Sequence, residues 1–359
     1  MTVYNFAAGP ATLPDQVITQ IQSELPSLRG TGMSIMEISH RSALFDDIIN
    51  TAQQDLRDLM SIPDDYEVLF FQGGGTGQFA AVPMNLATKH HRIALLDSGH
   101  WAAKAGAEAE NLGYQVDTLA STKATHYDRL PARTSTLPTD TYDYLHICTN
   151  NTIEGTAYHD LPQTNGTPLI GDMSSNIMAQ HYNVSDFDLI FAGVQKKLRP
   201  CRCHASHREK KSLIKKVDHI PSVFNYQLFA KKNSMPNTPP VFNIYATGLT
   251  LKWLKKIGGI EAMEALNKKK SSLLYDFLDQ SKLFNNPVKH ADRSLTNVPF
   301  MTGDPKTDQA AIDDLTAHGL LNLKGHRSVG GLRASLYNAM PFEGVQALVN
   351  ELYHFEKNL

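Results

Sequence analysis

Cysteine is scarce in this 359-residue chain, which carries three: Cys148, Cys201 and Cys203. So few thiols make no disulfide framework of the kind that staples small secreted domains. No apolar run approaches the roughly 20 residues that a membrane-spanning helix needs. Neither sign of charge dominates: 34 Lys and Arg stand against 36 Asp and Glu, for a formal net charge of -2. That balance points neither to nucleic acid nor to an anionic membrane as partner. The opening MTVYNFAAGPATLP lacks a basic segment followed by an apolar one, the pattern of a secretion leader. Internal repeats and low-complexity tracts are missing too. The expectation is a soluble, cytoplasmic protein with no nucleic-acid and no membrane partner.

What is present is ordinary globular composition, 42% hydrophobic and 19% charged, in a chain long enough for two domains. Short apolar runs at Val68–Phe71, Ile93–Asp97, Tyr144–Cys148, Leu169–Met173 and Leu189–Ala192 read as strands buried on both faces. Helical patterns lie between them, Ala43–Met60 and Gly77–Ala87 among them. Such alternation predicts an α/β domain with a mostly parallel sheet. The proline-rich Ser234–Phe242 reads as a shaped loop. Beyond it, Ile244–Lys256 and Gly259–Ser281 read as helices. Strands near Asn297–Thr302 and Leu332–Tyr337 and a last helix near Gly344–Lys357 would complete a second domain.

Three signals at strand ends carry chemistry. Gly73 to Gly77, with Thr76 among them, follows one strand and precedes a helix, where backbone N–H groups and the helix end can cradle a phosphate. No Gly-Lys-Ser/Thr closes the run, so it is not a Walker loop; a flexible turn is the plainer reading. Asp172 ends the strand in GDMSSN, and Lys196 follows the next strand in AGVQK. Consecutive strand ends share one edge of a parallel sheet, where ligands bind. A carboxylate to pair a pyridinium nitrogen, and a lysine to bond the cofactor covalently and then move a proton, are what pyridoxal phosphate requires. Singly, such an Asp is more often a helix cap and such a Lys solvated. Trp101 is suited to stack on a pyridine ring and Thr152 to a polar contact, although core and turn roles are their ordinary ones. Cations that suit substrate carboxylate or phosphate occur far apart: His40 and Arg41, His326 and Arg327, and Arg333.

Together these motifs make the chain resemble the phosphoserine aminotransferase family, class-V, fold-type-I pyridoxal-phosphate enzymes. NFAAGPATLP, GMSIMEISHRS, GGGTGQFAAVPMNL, DSGHWA, NNTIEG, GDMSSN, AGVQK, NSMPNTPP, GLTLKWLK and LKGHRSVGGLRASLYNAMP carry the resemblance from end to end. It implies a large domain, 15–256, with a mostly parallel, seven-stranded type of sheet between helices. A smaller α+β domain, 257–359 with 1–14, would accompany it. It also implies that Gly75 and Thr76 hold the cofactor phosphate, Trp101 stacks on the ring, and Thr152 and Gln195 make polar contacts. Asp172 would pair with the ring nitrogen and Lys196 would bind the cofactor. Asn237 and Thr238 would cross a homodimer interface to the partner's cofactor. His40, Arg41, His326 and Arg327 would receive the substrate phosphate or side-chain carboxylate, and Arg333 its α-carboxylate. The implied reaction passes an amino group from L-glutamate to 3-phosphohydroxypyruvate, giving O-phospho-L-serine and 2-oxoglutarate in serine biosynthesis. A role in pyridoxine biosynthesis is a further family trait. Ala8 replaces a common serine and Pro236 a common aromatic, and neither change removes a needed group.

One stretch departs sharply. After the lysine the family pattern runs Asn, an apolar residue, Gly-Pro-Ala-Gly and then an apolar strand. Here Lys197 to Glu209 reads KLRPCRCHASHRE. Arg202, His204, His207, Arg208 and Glu209 on a doubly covered strand would each cost several kcal/mol if unpaired. Total stabilities are only about 5–15 kcal/mol. With suitable codons, deleting one A from the paired lysine codons turns the stretch into Lys-Asn-Phe-Gly-Pro-Ala-Gly-Val-Thr-Leu-Val-Ile-Val. A compensating shift near Lys210 and Lys211 would then restore the frame. The stretch is therefore read as a double frameshift, in the gene or in its recorded sequence. The rival is a zinc site at Cys201, Cys203, His204 and His207. It is disfavoured because such ligands need chelating turns and an adapted surround, so no metal is expected. A real 197–210 stretch would instead suggest an inactive scaffold. Another class-V enzyme, of the serine–glyoxylate or cysteine desulfurase type, is the remaining alternative, and the latter lacks a cysteine on a suitable loop.

Overall fold

The computed structural model describes residues 2–132, 137–193 and 217–359. In chain order its elements are β1 (Tyr4–Asn5), α1 (Asp15–Glu24), α2 (Ala43–Met60), α3 (Gly74–Leu86), β2 (Arg92–Asp97), α4 (His100–Asn111) and β3 (Gln115–Ser121). Then come β4 (Tyr144–Cys148), β5 (Leu169–Asp172), β6 (Leu189–Phe191), α5 (Tyr226–Lys231), α6 (Val241–Lys256) and α7 (Gly259–Gln280). The chain ends with β7 (Asn297–Phe300), α8 (Pro305–Ala317), β8 (Leu320–Leu321), β9 (Leu332–Ser335) and α9 (Phe342–Lys357).

Five strands form a sheet in the order β3-β2-β4-β5-β6, parallel throughout. Strand alternation sends side chains to two apolar layers. Ala94, Leu96, Leu145, Ile147 and Ile190 face a core shared with α2 and α6. Ile93, Tyr144, Ile170, Leu189 and Phe191 face a second core on the α3 side. Helices on both faces explain why β4, β5 and β6 are buried at every position.

The mostly parallel sheet between helices agrees with the sequence reading, and among the described residues five strands pair in it. Val68–Phe71 is buried, and among the described residues only Phe71 carries a bridge, so no ladder is assigned to the run there. The edge strand β3 went unread because its residues QVDTLAS are half-exposed and polar-rich, the composition of an edge and not of a covered strand.

A separate core gathers Phe6, Leu274, Phe300, Leu332 and Leu352, among others, under α7, α8 and α9. There β7 pairs antiparallel with β9 and β1 parallel with β8. Ile260 and Met263, at the start of α7, pack into the first core, so α7 spans both. A buried polar chain also joins them. Asn150 Nδ2 donates to Asn297 Oδ1 at 2.9 Å, and Asn297 Nδ2 donates to Ser335 Oγ at 3.1 Å and Tyr337 Oη at 3.2 Å. No helix among the described residues is long and apolar enough to cross a membrane.

Candidate active site

The site grows from the carboxyl ends of β2, β4, β5 and β6, which lie along one sheet edge because the strands run parallel. At the end of β5, Asp172 is 4% exposed. Its Oδ1 accepts the Ser174 N–H at 2.9 Å. Its main-chain oxygen accepts both the N–H and the Oγ1 hydroxyl of Thr149, and that hydroxyl lies 2.7 Å from Asn176 Oδ1. Just past β6, the Gly193 N–H donates to Ser174 Oγ at 2.8 Å.

The glycine run meets these two strand ends. Gly73 and Gly74 have φ of 102° and 68°, backbone that an L side chain rarely adopts. The helix therefore starts at Gly74 and not at Gly77, where sequence periodicity begins. A Cβ at Gly75 would lie 3.4 Å from Ser174 Oγ, and one at Gly193 would lie 3.4 Å from both Gly75 N and Ser174 Oγ. Both distances are ordinary van der Waals contacts, so the three segments pack closely without a clash. The N–H groups of Gly75 and Thr76 have no hydrogen-bond partner among the described residues, as first-turn amides lack an intrahelical acceptor.

At the end of β2, α4 begins with His100 and the half-buried Trp101. Glu154 Oε1 accepts the His100 N–H at 2.8 Å. A Cβ at Gly99 would stand 2.7 Å from Glu154 Oε2, so this contact depends on glycine there. Arg333 arrives from β9 and its Nη1 donates to the Thr152 carbonyl at 3.4 Å. Its Nε is buried without a hydrogen-bond partner among the described residues. The His326 ring lies 5.9 Å from the His100 ring, which is 5.1 Å from Trp101.

The electrostatics of this corner follow from burial and from the charges gathered there. Burial lowers the affinity of His326 for a proton, and the charges of Arg333, His100 and Arg327 lower it further. Burial likewise lowers the Arg333 pKa, partly offset by Tyr337 and Glu154. Burial raises the Glu154 carboxyl, against the hydrogen bond from His100. Tyr127 is pushed up to about 12 by burial and by the charge of Asp97. Arg333 and the rings of His100 and His326 gather here.

Comparison with known proteins places this geometry. The aminotransferase class-V family profile matches residues 3–348. The chain belongs to the class-V aminotransferases. It is 68% identical over 357 residues to the phosphoserine aminotransferase of Lactobacillus helveticus, covering 99% of this chain and 95% of that one. Its structure is similar to phosphoserine aminotransferase from Bacillus circulans subsp. alkalophilus (TM-score 0.95, 40% identity, 99% of each chain). It is also similar to the PLP-bound phosphoserine aminotransferase of Trichomonas vaginalis (TM-score 0.93, 35% identity, 98% of this chain and 100% of that one).

As a class-V aminotransferase the chain uses pyridoxal phosphate, and its described residues fit that group. Two unpartnered first-turn amides suit a phosphate. A buried carboxylate one strand away suits a ring nitrogen that must stay protonated. Between the sheet edge and β9, an arginine with an orphaned Nε suits a carboxylate.

The structure brings together Gly75, Thr76 and Asp172 in one group, and Trp101, Thr152, His326 and Arg333 in an adjoining one. Asn237 and Thr238 are exposed, and Gln72 Nε2, beside the glycine run, donates to the Thr238 carbonyl at 2.8 Å. His40 and Arg41 lie in the turns before α2, and no hydrogen bond or ion pair among the described residues joins them to His326, Arg327 or Arg333. Gln195 and Lys196 lie outside the described residues. So does the whole 197–210 stretch, with the zinc reading at Cys201, Cys203, His204 and His207. Ser174, Gly193, His100 and Glu154 were not singled out from sequence. Ser174 stood two residues from Asp172 in GDMSSN and His100 beside Trp101 in DSGHWA. Among the described residues, Asp314, His318 and Glu351 gather as possible metal ligands. His318 Nδ1 is already 2.9 Å from the Asp314 carbonyl, which leaves this a helix-end contact outside the site.

Proposed function

We propose that the chain is a phosphoserine aminotransferase, moving an amino group from L-glutamate to 3-phosphohydroxypyruvate to give O-phospho-L-serine and 2-oxoglutarate. The observation that carries this reading is the cationic corner formed by His326 and Arg333 beside Trp101. It offers one carboxylate site and a second anion site, and both substrates carry two anionic groups. The full-length relatives named above support the same substrates.

Bound pyridoxal phosphate supplies an electron sink that lets the Cα–H bond of an amino acid break. The chain's residues set up that event. In our reading Gly75 and Thr76 hold the cofactor phosphate from the α3 amides, and Asp172 keeps the ring nitrogen protonated. Trp101 stacks on the ring, while Thr152 and Gln195 make polar contacts. Lys196 binds the cofactor and moves the proton between Cα and the C4′ position, a task that requires a neutral amine. Arg333 orients the α-carboxylate, so that the bond to be broken faces the lysine. His40, Arg41, His326 and Arg327 receive the phosphate or side-chain carboxylate.

We also read the two cores as two domains, 15–256 and 257–359 with 1–14. A homodimer fits the exposure of Met33, Met36, Asn237 and Thr238. It would bring His40 and Arg41, otherwise apart from the cationic corner, to a partner's site. A cytoplasmic place in serine biosynthesis, and a contribution to pyridoxine biosynthesis, accord with this chemistry. The 197–210 stretch favours a second reading, an inactive or destabilised scaffold.

The test is stepwise. A visible absorbance band abolished by borohydride reports the bound cofactor. Bleaching by L-glutamate, then recovery with 3-phosphohydroxypyruvate, reports both halves of the reaction. A loaded protein that glutamate does not change would overturn the assignment, and a colourless one would favour the scaffold.

A further inference from the structure

We propose that His100 is a specificity-determining residue of the substrate-anion site, its imidazole donating to the phosphate that His326 also contacts. This deepens the proposed function and rests on that reading for the identity of the substrate. Four features place the residue. His100 opens α4 at the end of β2, and its main-chain N–H is fixed by Glu154 Oε1 at 2.8 Å. Its side chain is exposed, and its ring makes no hydrogen bond to a described residue. The ring stands edge-on to Trp101 at 5.1 Å and 5.9 Å from the His326 ring, at 45° to it. The Nδ1 of His326 is occupied by Ser328 Oγ at 2.7 Å, which leaves its Nε2 side for a ligand.

Two imidazoles centred 5.9 Å apart are too far to bond each other and are spaced to share a tetrahedral anion between them. A planar carboxylate with two oxygens fills such a gap less well than a phosphate with three. The charged and titratable groups around the pair are Arg327 and Arg333 from the β8–β9 side, and Glu154, Asp97 and the neutral Tyr127 from the sheet edge. Lys104, one turn along α4, lies over Trp101 at 5.7 Å. Cations predominate on the open side, because Glu154 is turned to the α4 amide and Asp97 accepts from Ser121 at 2.6 Å. His100 has a structural role only through its main chain, so its ring is available for the anion.

The probe is inorganic phosphate, titrated calorimetrically into the cofactor-loaded protein at pH 6.5 and pH 8. His100→Ala should weaken phosphate about tenfold, the size of one hydrogen bond to a charged group. His100→Asn, which keeps a neutral donor, should recover part of the affinity. Unchanged cofactor absorbance in each variant controls for folding. Equal phosphate affinity in parent and His100→Ala at both pH values overturns the proposal, as does a parent that binds no phosphate. Phosphate binding that His100→Ala weakens, in a protein that never aminates 3-phosphohydroxypyruvate, upholds the subsite and sinks the substrate assignment alone.

Discussion

The main-chain N–H of Gly193 donates to Ser174 Oγ at 2.8 Å, tying the exit of β6 to the loop that follows Asp172. Because Gly75 abuts the same hydroxyl, one small side chain sits between the α3 amides, the Asp172 loop and the exit of β6. Ser174→Ala orphans the Gly193 N–H at a cost of about 1–3 kcal/mol. The variant should unfold at lower urea and bind pyridoxal phosphate more weakly, measured by denaturation and by titration of the apoprotein.

Lys270 is fully buried in α7 and donates to the carbonyls of Leu336, Tyr337 and Met340 at 3.2, 2.9 and 3.0 Å. These oxygens belong to the turn that follows β9, the strand of Arg333. Replacing Lys270 with Met strands three acceptors, for a loss of roughly 3 kcal/mol. It should also raise the KM for glutamate more than it lowers kcat, since it disturbs the placement of Arg333 and not the proton transfer. Parallel unfolding and steady-state measurements check both parts.

His146 lies mid-strand in β4, 5% exposed, with its ring 6.0 Å from that of Phe191. Burial pushes its pKa from 6.5 down to about 4. The unfolded chain therefore binds the extra proton between those values while the fold does not. Stability from this group is complete above about pH 6.5 and is lost as pH falls towards 4, by about 3 kcal/mol in all. The His146→Leu variant should lack this limb. The difference in unfolding free energy between parent and variant should then shift by about 2 kcal/mol between pH 7 and pH 5.

The 197–208 stretch yields a prediction of its own. Peptide mass spectrometry of the purified protein should recover no fragment containing CRCHASHR if the shift lies in the recorded sequence. If that fragment is found, the shift is in the gene. Replacing residues 197–208 by Asn-Phe-Gly-Pro-Ala-Gly-Val-Thr-Leu-Val-Ile-Val should then raise both turnover and melting temperature. No change in either would sink the frameshift reading.

Much of the fold was legible because local signals agreed with it. Ser42 caps α2 by accepting from the Phe45 N–H, and the helix spans Ala43–Met60, as its apolar spacing predicts. Continuous apolar runs marked β2, β4, β5 and β6, since strands covered on both faces admit little else. Where burial was partial, the signal failed. The half-exposed β3 carries Gln115, Asp117 and Thr118, residues that read as loop. At α3 the apolar period starts at Gly77, but the backbone turns helical at Gly74, because glycine permits the left-handed Gly73 and Gly74 that open it.

The sequence by itself determined the chemistry on offer: a glycine-rich turn at Gly73–Gly77, Asp172 and Lys196 at successive strand ends, and cations near both termini. Those are properties of local composition and order. Tertiary structure alone decided which groups meet. Arg333 reaches Thr152 across 181 positions of chain, and His326 reaches His100 across more than 200. No local pattern encodes such pairings, because they arise from how α7 and β9 pack against the parallel sheet. The buried side of Glu154, the Nε of Arg333 and the neighbouring imidazoles become visible only when that packing brings them together.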